Sequence, residues 1–179
     1  MKPKMLLFIL ILGAIATFSL FGTAGAANTG TVSPSVTVGT TLSLTLEDTT
    51  YVQWGPQSAG SNPTGTIKAR IGVNTNWTLT VQADHNLQHT DGNHWLGANS
   101  ATGSCSVFKY TSAAGSPAPP NANGITNAIP FDANNQTDVW TGGTATNECR
   151  VAITYDLQIP ASQYPGSYSA THTYTLTSL

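Results

Sequence analysis

"NWTLTVQAD", residues 76–84, alternates without a break: Trp77, Leu79, Val81 and Ala83 fall on one side, and Asn76, Thr78, Thr80 and Gln82 on the other. A two-residue period sends successive side chains to opposite faces of an extended chain, so the stretch reads as a strand with one face buried. The chain closes on a near echo, "HTYTLTSL" at 172–179, in which Tyr174-Thr175-Leu176 stands where Trp77-Thr78-Leu79 stood.

The same period recurs on both sides of this strand. "TLSLTLE" aligns Leu42, Leu44 and Leu46; "TIKARIGV" aligns Ile67, Ala69, Ile71 and Val73 opposite Lys68 and Arg70. "RVAITYDLQI" aligns Val151, Ile153, Tyr155, Leu157 and Ile159, and the final segment aligns Tyr168, Ala170, His172, Tyr174 and Leu176. "TVSPSVTV" offers Val32, Val36 and Val38, but Pro34 breaks its ladder and demotes it to an edge or sheet-switching strand. Helical periodicity is absent after the leader. Short strands punctuated by Gly and Pro predict an all-β fold, a single β-sandwich of Ig-like or Greek-key type.

Between about 85 and 149 the pattern loosens into "SAAGSPAPPNANG" and "TGGTATNE", with shorter candidate strands at "SCSVFKYT" and around Val139-Trp140. The stretch reads as a long irregular insertion in the one domain, a kind of loop region that often carries function.

Lys2 and Lys4, an apolar run from Met5 to Phe21 and the small residues Ala24-Gly25-Ala26 have the layout of a secretory signal peptide, placed at 1–26 with the mature domain at 27–179. Of the six Lys and Arg, two fall in that leader, leaving Lys68, Arg70, Lys109 and Arg150 against eight Asp and Glu. No basic stripe exists to follow a phosphate backbone, so nucleic acid is not expected as a partner. The expectation is a secreted, extracellular or cell-surface chain with no membrane association after cleavage. It shows no C-terminal span, LPxTG-like signal or lipobox, so it is expected to be released, to adhere or to assemble.

Cys105 and Cys149 are the sole cysteines. In an exported chain such a pair predicts a disulfide, which would tie the insertion beside the strand that starts at Arg150.

"DHNLQHTDGNH" gathers Asp84, His85, His89, Asp91 and His94 in a short span, which makes His85, His89 and His94 weak metal-ligand candidates beside a plain solvated loop. No cofactor is expected. The motifs G-x-S-x-G and H-E-x-x-H and a phosphate-cradling glycine loop are missing, so no catalytic residue is expected and the chain is read as a non-enzyme. Trp95, Tyr110 and Trp140 lie among polar residues that suit stacking on sugar rings, or else they fill a satellite core. Asn76 and Asn135 open N-x-S/T triplets, sites for glycosylation in a host equipped for it.

The pairing of Trp77-Thr78-Leu79 inside the domain with Tyr174-Thr175-Leu176 near its end, the latter preceded by Gly166-Ser167-Tyr168, resembles the WxL family of bacterial surface domains. Gly30 to Val32 and "LSLTLED" extend the resemblance; Tyr174 stands in place of the second tryptophan. The resemblance implies a secreted β-rich module bound non-covalently to the envelope, with cell-wall glycan as partner and Trp77, Leu79, Tyr174 and Leu176 as motif residues. A second expectation is a self-assembling filament or surface-layer subunit whose partner is another copy of itself. There the stretch from Ala27 to Val38 would complete a neighbour's sheet. A third is a secreted glycan- or metal-binding protein.

Overall fold

The structure, a computed structural model, describes residues 33, 35–97, 100–121 and 123–179. The expected leader and cleavage site, with Thr31, Val32 and Pro34 of the first candidate strand, lie outside the described residues; the rest of that candidate, Ser33 and residues 35–38, joins no strand, and the first strand begins only at Leu42. Ten strands follow in order: β1 (Leu42–Glu47), β2 (Thr64–Val73), β3 (Trp77–Ala83), β4 (Gln88–His89), β5 (Ser104–Ala114), β6 (Ile129–Asp132), β7 (Thr137–Gly143), β8 (Thr146–Leu157), β9 (Tyr168–Ser169) and β10 (His172–Ser178). One 3-10 turn, Thr49–Val52, is the helical piece among the described residues, and no helix there is long and apolar enough to cross a membrane.

Two antiparallel sheets form a sandwich-like pair, one of five strands in the order β1-β2-β8-β5-β6 and one of three in the order β10-β3-β7; β4 and β9 make a small ribbon. Alternation decides which side chains meet between them. β2 contributes Ile67, Ala69, Ile71 and Val73, β8 contributes Val151, Ile153, Tyr155 and Leu157, and β3 answers with Trp77, Leu79, Val81 and Ala83, all buried. Trp77 and Leu79 are fully enclosed, at 0% exposure. The indole lies flat on Gly143, where an added Cβ would fall 2.2 Å from the ring, and its Nε1 donates to the Thr144 carbonyl oxygen at 2.9 Å.

The stretch read as irregular holds β5, β6 and β7, and each joins a sheet. β5 pairs along β8 from Phe108 opposite Leu157 to Ala114 opposite Val151, and β7 pairs with β3. Their alternation is interrupted: Cys105 and Phe108 are both buried although three residues apart, and Val139 and Trp140 are buried side by side. Irregularities in the pairing of β5 with β6 and of β3 with β7 account for this, since a bulge changes the face that a side chain takes. Two hydroxyls beneath are satisfied, whereas Trp140 Nε1 is buried without a partner. The Tyr110 hydroxyl donates to the Asp138 carbonyl oxygen at 2.6 Å, and the Ser112 hydroxyl bonds Val139 O while accepting from Ile125 N at 2.9 Å.

The expected disulfide does not form. Cys105 and Cys149 are both free and buried. The β5–β8 register sends them to opposite ends of the ladder, because Cys105 precedes Phe108 while Cys149 lies beyond Val151. At about 3.3 Å per residue that separation is roughly 30 Å, against the ~5.5 Å between Cα atoms that a disulfide requires. Cys149 faces inward from β8, and Cys105 Sγ lies 3.4 Å from the Leu96 carbonyl oxygen. Burial raises both thiol pKa values, that of Cys149 to about 11, so both stay protonated and unreactive at neutral pH.

The basic side chains gather on one outer face. Lys68, Arg70, Lys109 and Arg150 alternate with core residues and project from the five-stranded sheet. Glu47 reaches both Arg150 at 2.9 Å and Arg70 at 3.4 Å, so it bridges two arginines that the register sets directly opposite each other. On the three-stranded sheet Thr78 pairs across from Thr177, and Thr80 from Thr175.

Two stability outcomes follow from this packing. Gly143→Ala forces a methyl group into the Trp77 ring and is expected to cost at least about 2 kcal/mol in urea denaturation; an unchanged midpoint would mean that the indole is not seated there. Thermal melting is expected to be the same with and without a reducing agent, whereas a drop under reduction would show a cystine.

Candidate functional site

Five strands over three leave the sandwich incomplete along one side. β1 ends the larger sheet and β10 ends the smaller one, each with an outer edge unpaired among the described residues. Between the end of β1 and the start of β10 opens a groove of about 1170 Å³. Leu46, Trp54, Leu157 and Ile159 form one apolar wall, and the segment 164–171 forms the other. Trp54 is fixed by Nε1 donating to the Thr64 carbonyl oxygen at 3.1 Å and by an edge-on contact with Phe108, ring centroids 6.1 Å apart. Gln163 braces the opposite wall: its amide donates to the Tyr168 hydroxyl at 2.8 Å, and that hydroxyl donates to the Tyr164 carbonyl oxygen at 2.7 Å.

The floor is aromatic with a short polar chain. Tyr155 and Tyr174 hydroxyls lie 2.7 Å apart, and His172 Nδ1 lies 3.2 Å from the Tyr155 oxygen. His172 is stacked on Phe131 with centroids 3.9 Å apart, and its Nε2 is buried with no partner. Burial pushes the Tyr155 phenol up to about 12 and the Tyr174 phenol higher than usual. It drives His172 down to about 4 against a weak opposing pull from the Asp84 carboxylate. The cluster is therefore neutral across the physiological range. It gives the groove hydrogen-bonding groups without a charge.

The four family-motif residues come together on adjacent strands. β3 and β10 run antiparallel with Leu79 opposite Leu176, Val81 opposite Tyr174 and Trp77 opposite Ser178. The sequence echo is thus a cross-strand neighbourhood. Trp77 and Leu79 have no solvent-facing surface, Leu176 is half-buried, and Tyr174 turns its hydroxyl into the groove floor.

Of the three rings considered for sugars, Tyr110 and Trp140 are buried in the core at 0% and 1% exposure and present no face to solvent. Tyr110 faces inward by the regular alternation of β5 with Phe108 and Ser112, and Trp140 by the bulged pairing of β7. Trp95 is half-buried, with Nε1 enclosed and unpartnered. Asn76 and Asn135 are both exposed.

The histidine loop divides. His85 stays with its own neighbours, Nδ1 against the Asn86 carbonyl oxygen at 2.8 Å and Nε2 3.6 Å from Asp84. His89 and His94 converge on Asp91 instead, with ligand atoms of all three within 4.8 Å of one another. Sequence spacing marked the histidines; the part played by Asp91 depends on a turn at Gly92, φ +77°, that periodicity does not report.

Protonation of His172 links the floor to stability. The unfolded chain takes up this proton near pH 6.5 and the fold near 4, so stability is full above about 6.5 and declines as pH falls toward 4, by on the order of 3 kcal/mol. Urea denaturation at pH 7 and pH 4.5 measures this, and His172→Phe is expected to remove much of the difference; an equal slope in the variant would assign the effect to the carboxylates. In comparison with known proteins, no family model matches the chain and no curated protein does, so the groove, its two free edges and the histidine loop are the features on which a functional reading rests.

Proposed function

We propose that this is a secreted, non-enzymatic cell-surface subunit that assembles with copies of itself, the segment 27–38 of one copy lying as an added strand in the groove of the next. The groove between two unpaired sheet edges is the observation that carries this reading. An added strand beside β10 satisfies the backbone groups of that edge, and its alternate side chains fill the apolar wall. Val36 and Val38 share one side of an extended chain and are 86% and 77% exposed in the single chain, so the segment carries apolar surface in need of cover. At about 3.3 Å per residue, twelve extended residues reach roughly 40 Å, ample for the length of a strand. Pro34 fits an edge position, where one missing donor is tolerated.

A second reading, adhesion to envelope glycan as a WxL-like module, is favoured by the direct pairing of the two motif segments on β3 and β10. With Trp77 and Leu79 in the core, the motif in that reading marks the fold, and the glycan contacts fall elsewhere.

Negative-stain microscopy of the chain beginning at residue 27 is expected to show regular polymers. Deleting 27–38 and, separately, placing a charge in the groove by Ala170→Arg are each expected to abolish them. A synthetic 27–38 peptide is expected to bind the truncated chain and raise its melting temperature. Dispersed monomers at high concentration that sediment with purified peptidoglycan would move the assignment to the second reading.

A further inference from the structure

We infer that His89, Asp91 and His94 form a binding site for one divalent transition-metal ion of the zinc or copper type. The site starts from a tight reversal of the chain. His89 N donates to the His94 carbonyl oxygen at 2.8 Å and Gly92 N to the His89 carbonyl oxygen at 2.9 Å, while Gln88 bridges to Trp95. This hairpin sets the two imidazoles beside each other, centroids 5.9 Å apart and planes at 87°. Asp91, at the apex, folds back between them: Oδ1 lies 2.9 Å from His89 Nδ1 and Oδ2 2.8 Å from His94 Nδ1.

The rings are held from outside the hairpin. His94 lies flat on Tyr164, centroids 4.1 Å apart at 4°. His89 meets Tyr164 and Tyr168 edge-on at 5.3 and 5.1 Å. Gly166 backs the His89 ring so closely that a Cβ there would sit 1.8 Å from Nε2. Nε2 of His89 is thereby turned against the backbone, and Nδ1 is the atom offered to the shared space. Rings fixed in this way lose little freedom when an ion binds, which favours affinity.

The charges agree with a cation. The Asn93 N–H donates to Asp91 Oδ1 at 2.9 Å and, with the two imidazoles, holds that carboxyl well below the usual carboxylate range. His89 Nδ1 lies within reach of both Asp91 Oδ1, at 2.9 Å, and the Asp91 N–H, at 3.1 Å, so it faces the carboxylate that would share the ion.

Two imidazole nitrogens with one carboxylate suit zinc or copper, whereas calcium and magnesium prefer an all-oxygen shell. Ligand atoms around tetrahedral zinc stand about 3.4 Å apart, within reach of the present set by shifts below roughly 1 Å. The Asp91 and His94 side chains are 34% and 42% exposed, which leaves an entry path and room for a water ligand. His85 takes no part. The site lies beside residues 164–168 of the groove wall, but the inference does not depend on assembly.

The test is calorimetric titration of the chelator-stripped chain with ZnCl2 and with CuCl2, beside spectra that follow the histidine rings. One ion per chain is expected, with the signals of His89 and His94 moving and that of His172 not. Asp91→Asn keeps an acceptor for the Asn93 N–H, and His94→Phe keeps the stack on Tyr164; each is expected to weaken binding at least about tenfold. His85→Ala is expected to bind as the parent does. Melting without metal checks that each variant is folded. Absence of saturable binding below about 1 mM, or equal binding by the folded Asp91→Asn and His94→Phe variants, would overturn the site and leave a hydrogen-bonded His-Asp-His turn.

Discussion

The seating of the Trp77 indole on Gly143 is the constraint on which the two-sheet arrangement depends. The ring lies over the neighbouring strand where β3 pairs with β7, and only a residue without a Cβ leaves room for it there. Because the Nε1 donor finds the Thr144 carbonyl oxygen, the largest apolar side chain enters the core without an unpaired polar atom. The alternation of β3 then carries Leu79, Val81 and Ala83 to the same depth, and the partner strand β10 follows in register. Two segments far apart in the chain thus owe their likeness to a shared environment: both lie in one sheet and face one core.

What the core does not cover defines the rest of the molecule. A sheet of five strands faces a sheet of three, and the margin beside β10 is a groove with Leu46, Leu157 and Ile159 on one side and residues 164–171, with the short strand β9, on the other. The neutral tyrosine and histidine floor suits that position. Charged groups there would resist desolvation by any occupant, while hydroxyls and an uncharged imidazole exchange water for backbone partners at little cost.

Strands whose alternation is unbroken were legible in the sequence: β2, β3 and β8 each present four buried apolar residues at strict two-residue spacing. β5 and β7 were legible only as fragments, because bulged pairing places Cys105 with Phe108, and Val139 with Trp140, on the buried side. The irregularity of β7 hid the fate of Trp140, while Tyr110 keeps the regular alternation of β5 and was masked by polar neighbours that suggested exposure. Cysteine count and compartment argued for a bridge, but register is a long-range property, and it is register that separates Cys105 from Cys149. In the histidine loop residue type singled out His85, His89 and His94; that Asp91 lies with His89 and His94 while His85 stands apart rests on the Gly92 turn. The groove had no local signal, since a missing strand leaves no mark on the strands that flank it.

Segregation of charge has a consequence for how the surface behaves. With Lys68, Arg70, Lys109 and Arg150 all on the outside of the five-stranded sheet, the outer surface of β3 and β10 is left to paired threonines such as Thr78 with Thr177 and Thr80 with Thr175. Rows of hydroxyls repeat about 4.8 Å across strands and about 6.8 Å along them, each able to donate and to accept. Asp138 of β7 stands across from Thr80 beside them, but a contact made by the hydroxyls themselves involves no formal charge. Salt weakens such hydroxyl contacts far less than it weakens ion pairs.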